Sequence, residues 1–192
     1  MGNWIWLIAL PLGTSPLVYL FGRLFHPAES SRKFSSPAKW AGLAVLLAAF
    51  IPFYFAYRDY AASGGQALTY QLGVVSLRLD GLSLLLAFSV LALGTLVAFF
   101  SGQYLAGDDN QEKYYALLNA MIGAMIGLGC ANDLFNLWIW FETMAVASYM
   151  LVAFYRDQPG SLEAGIKYLV QSATGSALVL LGLVVTIVVL AL

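Results

Sequence analysis

The chain has 192 residues, of which 61% are apolar and 10% charged, and its mean hydropathy is +0.80. A soluble globule of this size could not cover itself with so little polar surface, so the composition is that of an integral membrane protein in contact with the lipid bilayer. Nine basic and ten acidic residues give a net charge of -1, and the absence of a basic block able to track phosphates excludes nucleic acid as a partner.

Crossing a bilayer as a helix takes ~20 apolar residues. The first such run, Trp4 to Phe25, begins without the positive segment that opens a signal peptide and is read as a retained helix. The next runs are Ala38 to Tyr57 and Gly81 to Phe100, then Tyr115 to Ala131, Leu134 to Tyr155 and Leu162 to Leu192. Between them lie HPAESSRKFSSP, YRDYAASGGQ, GDDNQEK, a short Ala131-Asn132-Asp133 turn and RDQPGS, all rich in turn formers. The expectation is an all-α polytopic bundle of about six transmembrane helices, residues 1–192 forming a single transmembrane domain.

Short loops rich in Lys and Arg stay cytoplasmic. Arg23, Arg32, Lys33 and Lys39 fall in or beside the first loop, and Lys113, Arg156 and Lys167 belong to the same side, against Arg58 and Arg78 on the other. This asymmetry places the N-terminus outside.

Within the fifth run, Trp138, Trp140 and Phe141 precede Glu142, and Met144, Val146 and Met150 follow it. Glu142 lies about 12 Å from the outer end of its helix at 1.5 Å per residue, too deep to reach water. A membrane carboxylate costs several kcal/mol facing lipid and usually marks a proton or ion path, so Glu142 is the candidate titrating centre; a neutral, hydrogen-bonded packing residue is the bland alternative. Lys167 is the candidate partner cation, although Glu163 precedes it by four residues and an i, i+4 pair with a snorkelling lysine is equally natural. Glu142 and Lys167 are offset by about 10 Å in depth, which calls for water or side chains between them.

Asn119 in the fourth run, Asn136, Thr143 and Ser148 in the fifth, and Gln171, Ser172, Thr174 and Ser176 in the sixth could line such a link or simply hydrogen-bond between helices. Gly123 and Gly127 form a GxxxG, and Ser172, Gly175 and Ser176 give the sixth helix a small face, both suited to close packing. Asp80 and Asp133 stand where N-caps are needed. Cys130 reads as a small packing residue and His26 as an interfacial one. No cluster has metal-ligand spacing and no nucleophile sits beside a base, so any redox chemistry and its cofactors belong to other chains.

Several motifs occur in order: Asp80-Gly81-Leu82-Ser83, Asn132-Asp133-Leu134-Phe135, Trp140-Phe141-Glu142, Ser148-Tyr149, Glu163-Ala164 and Lys167-Tyr168-Leu169. Together they resemble the antiporter-like membrane subunits of respiratory complex I, of Mrp-type cation/proton antiporters and of membrane-bound hydrogenases. The resemblance runs from about Asp80 to the C-terminus. It implies that Glu142 matches the family's buried glutamate and Lys167 its sixth-helix lysine, with Asp133, Asn136, Glu163, Ser148 and Thr174 as further pathway or structural positions. It also implies a place in a multisubunit complex of a prokaryotic cell membrane, in which electron transfer in attached subunits drives protons or cations past Glu142. Family members continue into a broken seventh helix with a key lysine and an inverted second half. The expectation is that either another polypeptide supplies those helices, or the chain is a shortened subunit or fragment that serves as a spacer and cannot conduct by itself.

Overall fold

The computed structural model describes residues 3–25, 37–105, 108 and 110–191; His26, Arg32 and Lys33 lie outside them. A single 3-10 turn, Asn3–Ile5, leads into α1 (Trp6–Leu24), followed by α2 (Pro37–Ala62), β1 (Leu68–Leu72), β2 (Val75–Leu79), α3 (Gly81–Tyr104), α4 (Gln111–Gly129), α5 (Leu134–Val152) and α6 (Pro159–Ala191). The polytopic helical bundle expected from composition is present. Its helices extend past the apolar runs: α2 continues five residues beyond Tyr57 and α4 starts four residues before Tyr115, because backbone hydrogen bonding propagates a helix into polar flanks.

The central helix is the most polar. Five of the six helices are long and apolar enough to cross a membrane on composition alone, and α4 is the exception. It packs against α1, α2, α3 and α5, burying Tyr115, Leu118, Ile122 and Ile126, so its polar first turn and Asn119 are shielded by protein rather than faced to lipid. The two glycines of its GxxxG admit different neighbours: a Cβ on Gly123 would meet the Leu12 backbone of α1 at 2.8 Å, and one on Gly127 would meet the Trp140 ring of α5 at 2.4 Å. Pro11, Pro16 and Pro52 are accommodated inside α1 and α2, as membrane helices surrounded by neighbours allow.

The all-helical expectation needs one addition. Residues 68–79, between the YRDYAASGGQ loop and the third apolar run, form an antiparallel hairpin with Leu68 opposite Leu79 and Leu72 opposite Val75. Gly73 occupies the turn at φ 58, a conformation glycine adopts freely. The hairpin lies on the end of the bundle where α5 begins: Arg78 N–H donates to the Cys130 carbonyl at 2.7 Å, and Asn132 N–H to the Ser76 carbonyl at 3.2 Å. Leu77 and Leu79 on its inner face are buried, as is Cys130.

At the other edge, α6 packs chiefly on α5. Only 6% of its most apolar window is buried. Its 33 residues span about 50 Å at 1.5 Å per residue, well over a ~30 Å hydrocarbon core.

Candidate functional site

α5 begins at a cap that also anchors the hairpin. The Asp133 carboxylate accepts from Asn136 N–H at 2.8 Å and from the Asn136 side-chain amide, which also donates to the Val74 carbonyl in the hairpin turn at 3.2 Å. Asp133 and Asn136 are thus occupied in holding the helix start to the hairpin, and Asn136 is 1% exposed. Asp80 does the equivalent work for α3, accepting from Ser83 N–H at 2.9 Å, while the Ser83 hydroxyl donates to the Gly129 carbonyl at 2.7 Å. That backbone hydrogen bond is the main reason the Asp80 carboxyl is held below the usual carboxylate range, with the Ser83 hydroxyl and Arg78 assisting.

Further along α5, two neighbours settle the direction of its side chains. Trp140 lies on Gly127 of α4, and Ser148 on the same side reaches Met121 Sδ of α4 at 3.5 Å. On the other side, Trp138 Nε1 donates to Ser176 Oγ of α6 at 2.7 Å, and a Cβ on Gly165 of α6 would meet Ala153 at 2.6 Å. Glu142 is one turn from Trp138, on the strip facing α6. Its Oε1 is buried and has no hydrogen-bond partner among the described residues. Thr143, beside it, returns its hydroxyl to the Ile139 carbonyl at 2.9 Å.

The structure does not bring Lys167 to Glu142. Lys167 Nζ pairs with Glu163 Oε1 at 2.5 Å, and the two side chains are 73% and 65% exposed. Both lie roughly 200° round α6 from Gly165 at 100° per residue, on the side turned away from α5. Gln171 and Thr174 continue this outward strip, Thr174 donating to its own Val170 carbonyl at 2.8 Å. The expected small face of α6 is also narrower than the sequence suggested: Ser176 is 5% exposed, but Gly175 meets open space. Helical spacing puts Gly175 off the strip formed by Gly165, Ser172 and Ser176.

A second buried acceptor lies on α4, away from the seam between α5 and α6. Asn119 is 0% exposed; its amide donates to the Tyr115 carbonyl at 2.7 Å, while its Oδ1 has no partner among the described residues. No group of three or more His, Cys, Asp or Glu able to hold a metal is found among the described residues.

Two family models match the chain. One, described as NADH:quinone oxidoreductase/Mrp antiporter, TM, covers residues 131–190; the other, NADH-Ubiquinone oxidoreductase (complex I), chain 5 N-terminus, covers residues 73–115. Among curated relatives, a probable K(+)/H(+) antiporter component from Rhizobium meliloti is 27% identical over 84% of this chain and 16% of its own length. The NADH-quinone oxidoreductase subunit L of Escherichia coli is 29% identical over 70% of this chain and 23% of its own. An Na(+)/H(+) antiporter component from Staphylococcus haemolyticus is 30% identical over 56% and 13%. The chain therefore spans less than a quarter of each of these relatives. In fold it is similar to a chain of an archaeal membrane-bound sulfane sulfur reductase, with TM-score 0.76 and 23% identity over 92% of this chain and 35% of that one. It is also similar to a chain of the Mrp complex of Dietzia, with TM-score 0.68 and 21% identity over 91% and 18%.

Proposed function

We propose, from the premise that this multi-pass membrane protein is related to the antiporter-like membrane subunits of complex I and of Mrp-type antiporters, that it serves a proton- or cation-translocating complex of the prokaryotic cell membrane, with Glu142 as the exchanging carboxylate. One observation supports the assignment: Glu142 Oε1 is buried and has no hydrogen-bond partner among the described residues. A carboxylate so placed is stable when it carries a proton or receives a cation or water, and each loading changes the field felt by the next group in line. Lys167 is the outward relay. Its exposed strip on α6 is a surface on which further membrane helices of the complex would pack.

Glu142→Gln keeps shape and removes titration. In the intact complex this variant assembles and loses coupled transport; unchanged pumping would refute the assignment. The reading of a spacer that keeps the fold without conducting is favoured by one observation, that Lys167 is paired with Glu163 on an exposed face. Purification of the complex with its partners separates the two readings. A second membrane chain seated on α6 supports translocation, and its absence from an otherwise active complex supports the spacer.

A further inference from the structure

α6 is held to α5 at two levels. At its first turns Ser161 Oγ donates to the Val152 carbonyl at 2.9 Å, and Gly165 lies against Ala153. Three turns later Trp138 Nε1 donates to Ser176 Oγ at 2.7 Å. Glu142 lies between these levels on the strip that runs from Trp138 to Ala153, and the half-buried Ser172 occupies the facing side of α6. The rest of α6 is largely uncovered by this chain.

We propose that the Trp138–Ser176 hydrogen bond is the positioning contact that keeps α6 closed over Glu142, and that breaking it uncovers the carboxyl group without altering the residue itself. The indole ring suits the task because it is broad enough to fill the seam and carries one donor with a fixed direction. Its partner, a hydroxyl on a residue small enough for close helix approach, combines the two requirements of a membrane helix interface. Trp138 also stacks with Phe135 at a centroid distance of 6.1 Å, which restricts its rotation. Neither Trp138 nor Ser176 carries a charge. They act through the enclosure of Glu142, and their role rests on the proposed function only for the importance of that carboxylate.

The test reads enclosure rather than flux. The chain in its native membranes is treated with a membrane-soluble carbodiimide, which adds to protonated carboxyl groups, and the modified fraction of Glu142 is followed by peptide mass spectrometry. Wild type, Trp138→Phe, Ser176→Ala and Ser176→Thr are compared, with Glu142→Gln as the blank. Trp138→Phe and Ser176→Ala are expected to label faster by on the order of threefold to tenfold, the effect of losing one net hydrogen bond. Ser176→Thr, which keeps the hydroxyl, labels as wild type does. Rates in the first two variants equal to wild type, zero included, would overturn the proposal, as would a Thr variant as reactive as the Ala one. Because labelling is independent of pumping, a failure here leaves the role of Glu142 standing, and a failure of Glu142→Gln to affect transport leaves the latch standing.

Discussion

Trp140 rests directly on Gly127: its ring would lie 2.4 Å from any Cβ built there. Alanine at Gly127 must push α5 off α4, and overpacking of this kind costs about 1–3 kcal/mol. Gly175, which meets open space, should accept alanine with a change within about 0.5 kcal/mol, as surface substitutions do. Thermal denaturation of the two variants in detergent provides the comparison, and equal losses would mean that the α4–α5 contact is not the one described.

Asp80→Ala should destabilise the chain by about 1 kcal/mol through loss of the α3 cap, with Asp80→Asn closer to wild type. The pH dependence has a definite sign. A carboxyl held below its ordinary value by the Ser83 N–H adds stability that is present above that value, 3.8, and fades as pH falls through the lower folded one. Melting temperatures of wild type and Asp80→Ala should therefore converge below pH 3.8 and diverge above it.

The Tyr155 hydroxyl donates to Asp108 Oδ2 at 2.6 Å, closing the α5–α6 connection onto the segment before α4. The hydrogen bond to this carboxylate pushes the phenol up to about 12 from the ordinary 10.0. A raised pKa contributes fully below the ordinary value, 10.0, and is lost as pH rises through the folded one, so the contact is constant across the neutral range and opens only as pH rises through about 12. Subtracting the phenolate absorbance titration of Tyr155→Phe from that of wild type isolates this group. A midpoint near the ordinary value would mean that the hydrogen bond is absent.

Lys167→Met removes one half of an exposed pair. Stability should move by less than about 1 kcal/mol, the usual worth of such pairs. Under the proposed function, coupled transport by the intact complex should fall several-fold, less than in Glu142→Gln, because a relay role would let Lys167 act on Glu142 only indirectly. Flux into energised vesicles measures both, and wild-type pumping by Lys167→Met would remove this residue from the path.

The sequence announced what depends on single positions and local spacing. Asp80 and Asp133 cap their helices as their places ahead of apolar runs implied, and Glu163 and Lys167 pair as i, i+4 neighbours. The alternation Leu68, Tyr70, Leu72 and Leu77, Leu79 around Gly73 is a local hairpin signal of the same kind, whereas the remaining features depend on partners distant in the chain. Which way Lys167 faces was not legible, since the spacing fixes its angle to Gly165 but not that Gly165 meets Ala153. The open setting of Gly175 was hidden for the same reason.

The polar start and buried amide of α4 bear on how the bundle is made. A helix whose polar first turn and buried amide are covered by protein depends on its neighbours, and the helices it touches include α1, α2 and α3, all earlier in the chain. Three of the four helices that cover α4 therefore precede it in the chain, and only the α5 contact at Gly127 comes from a helix that follows it.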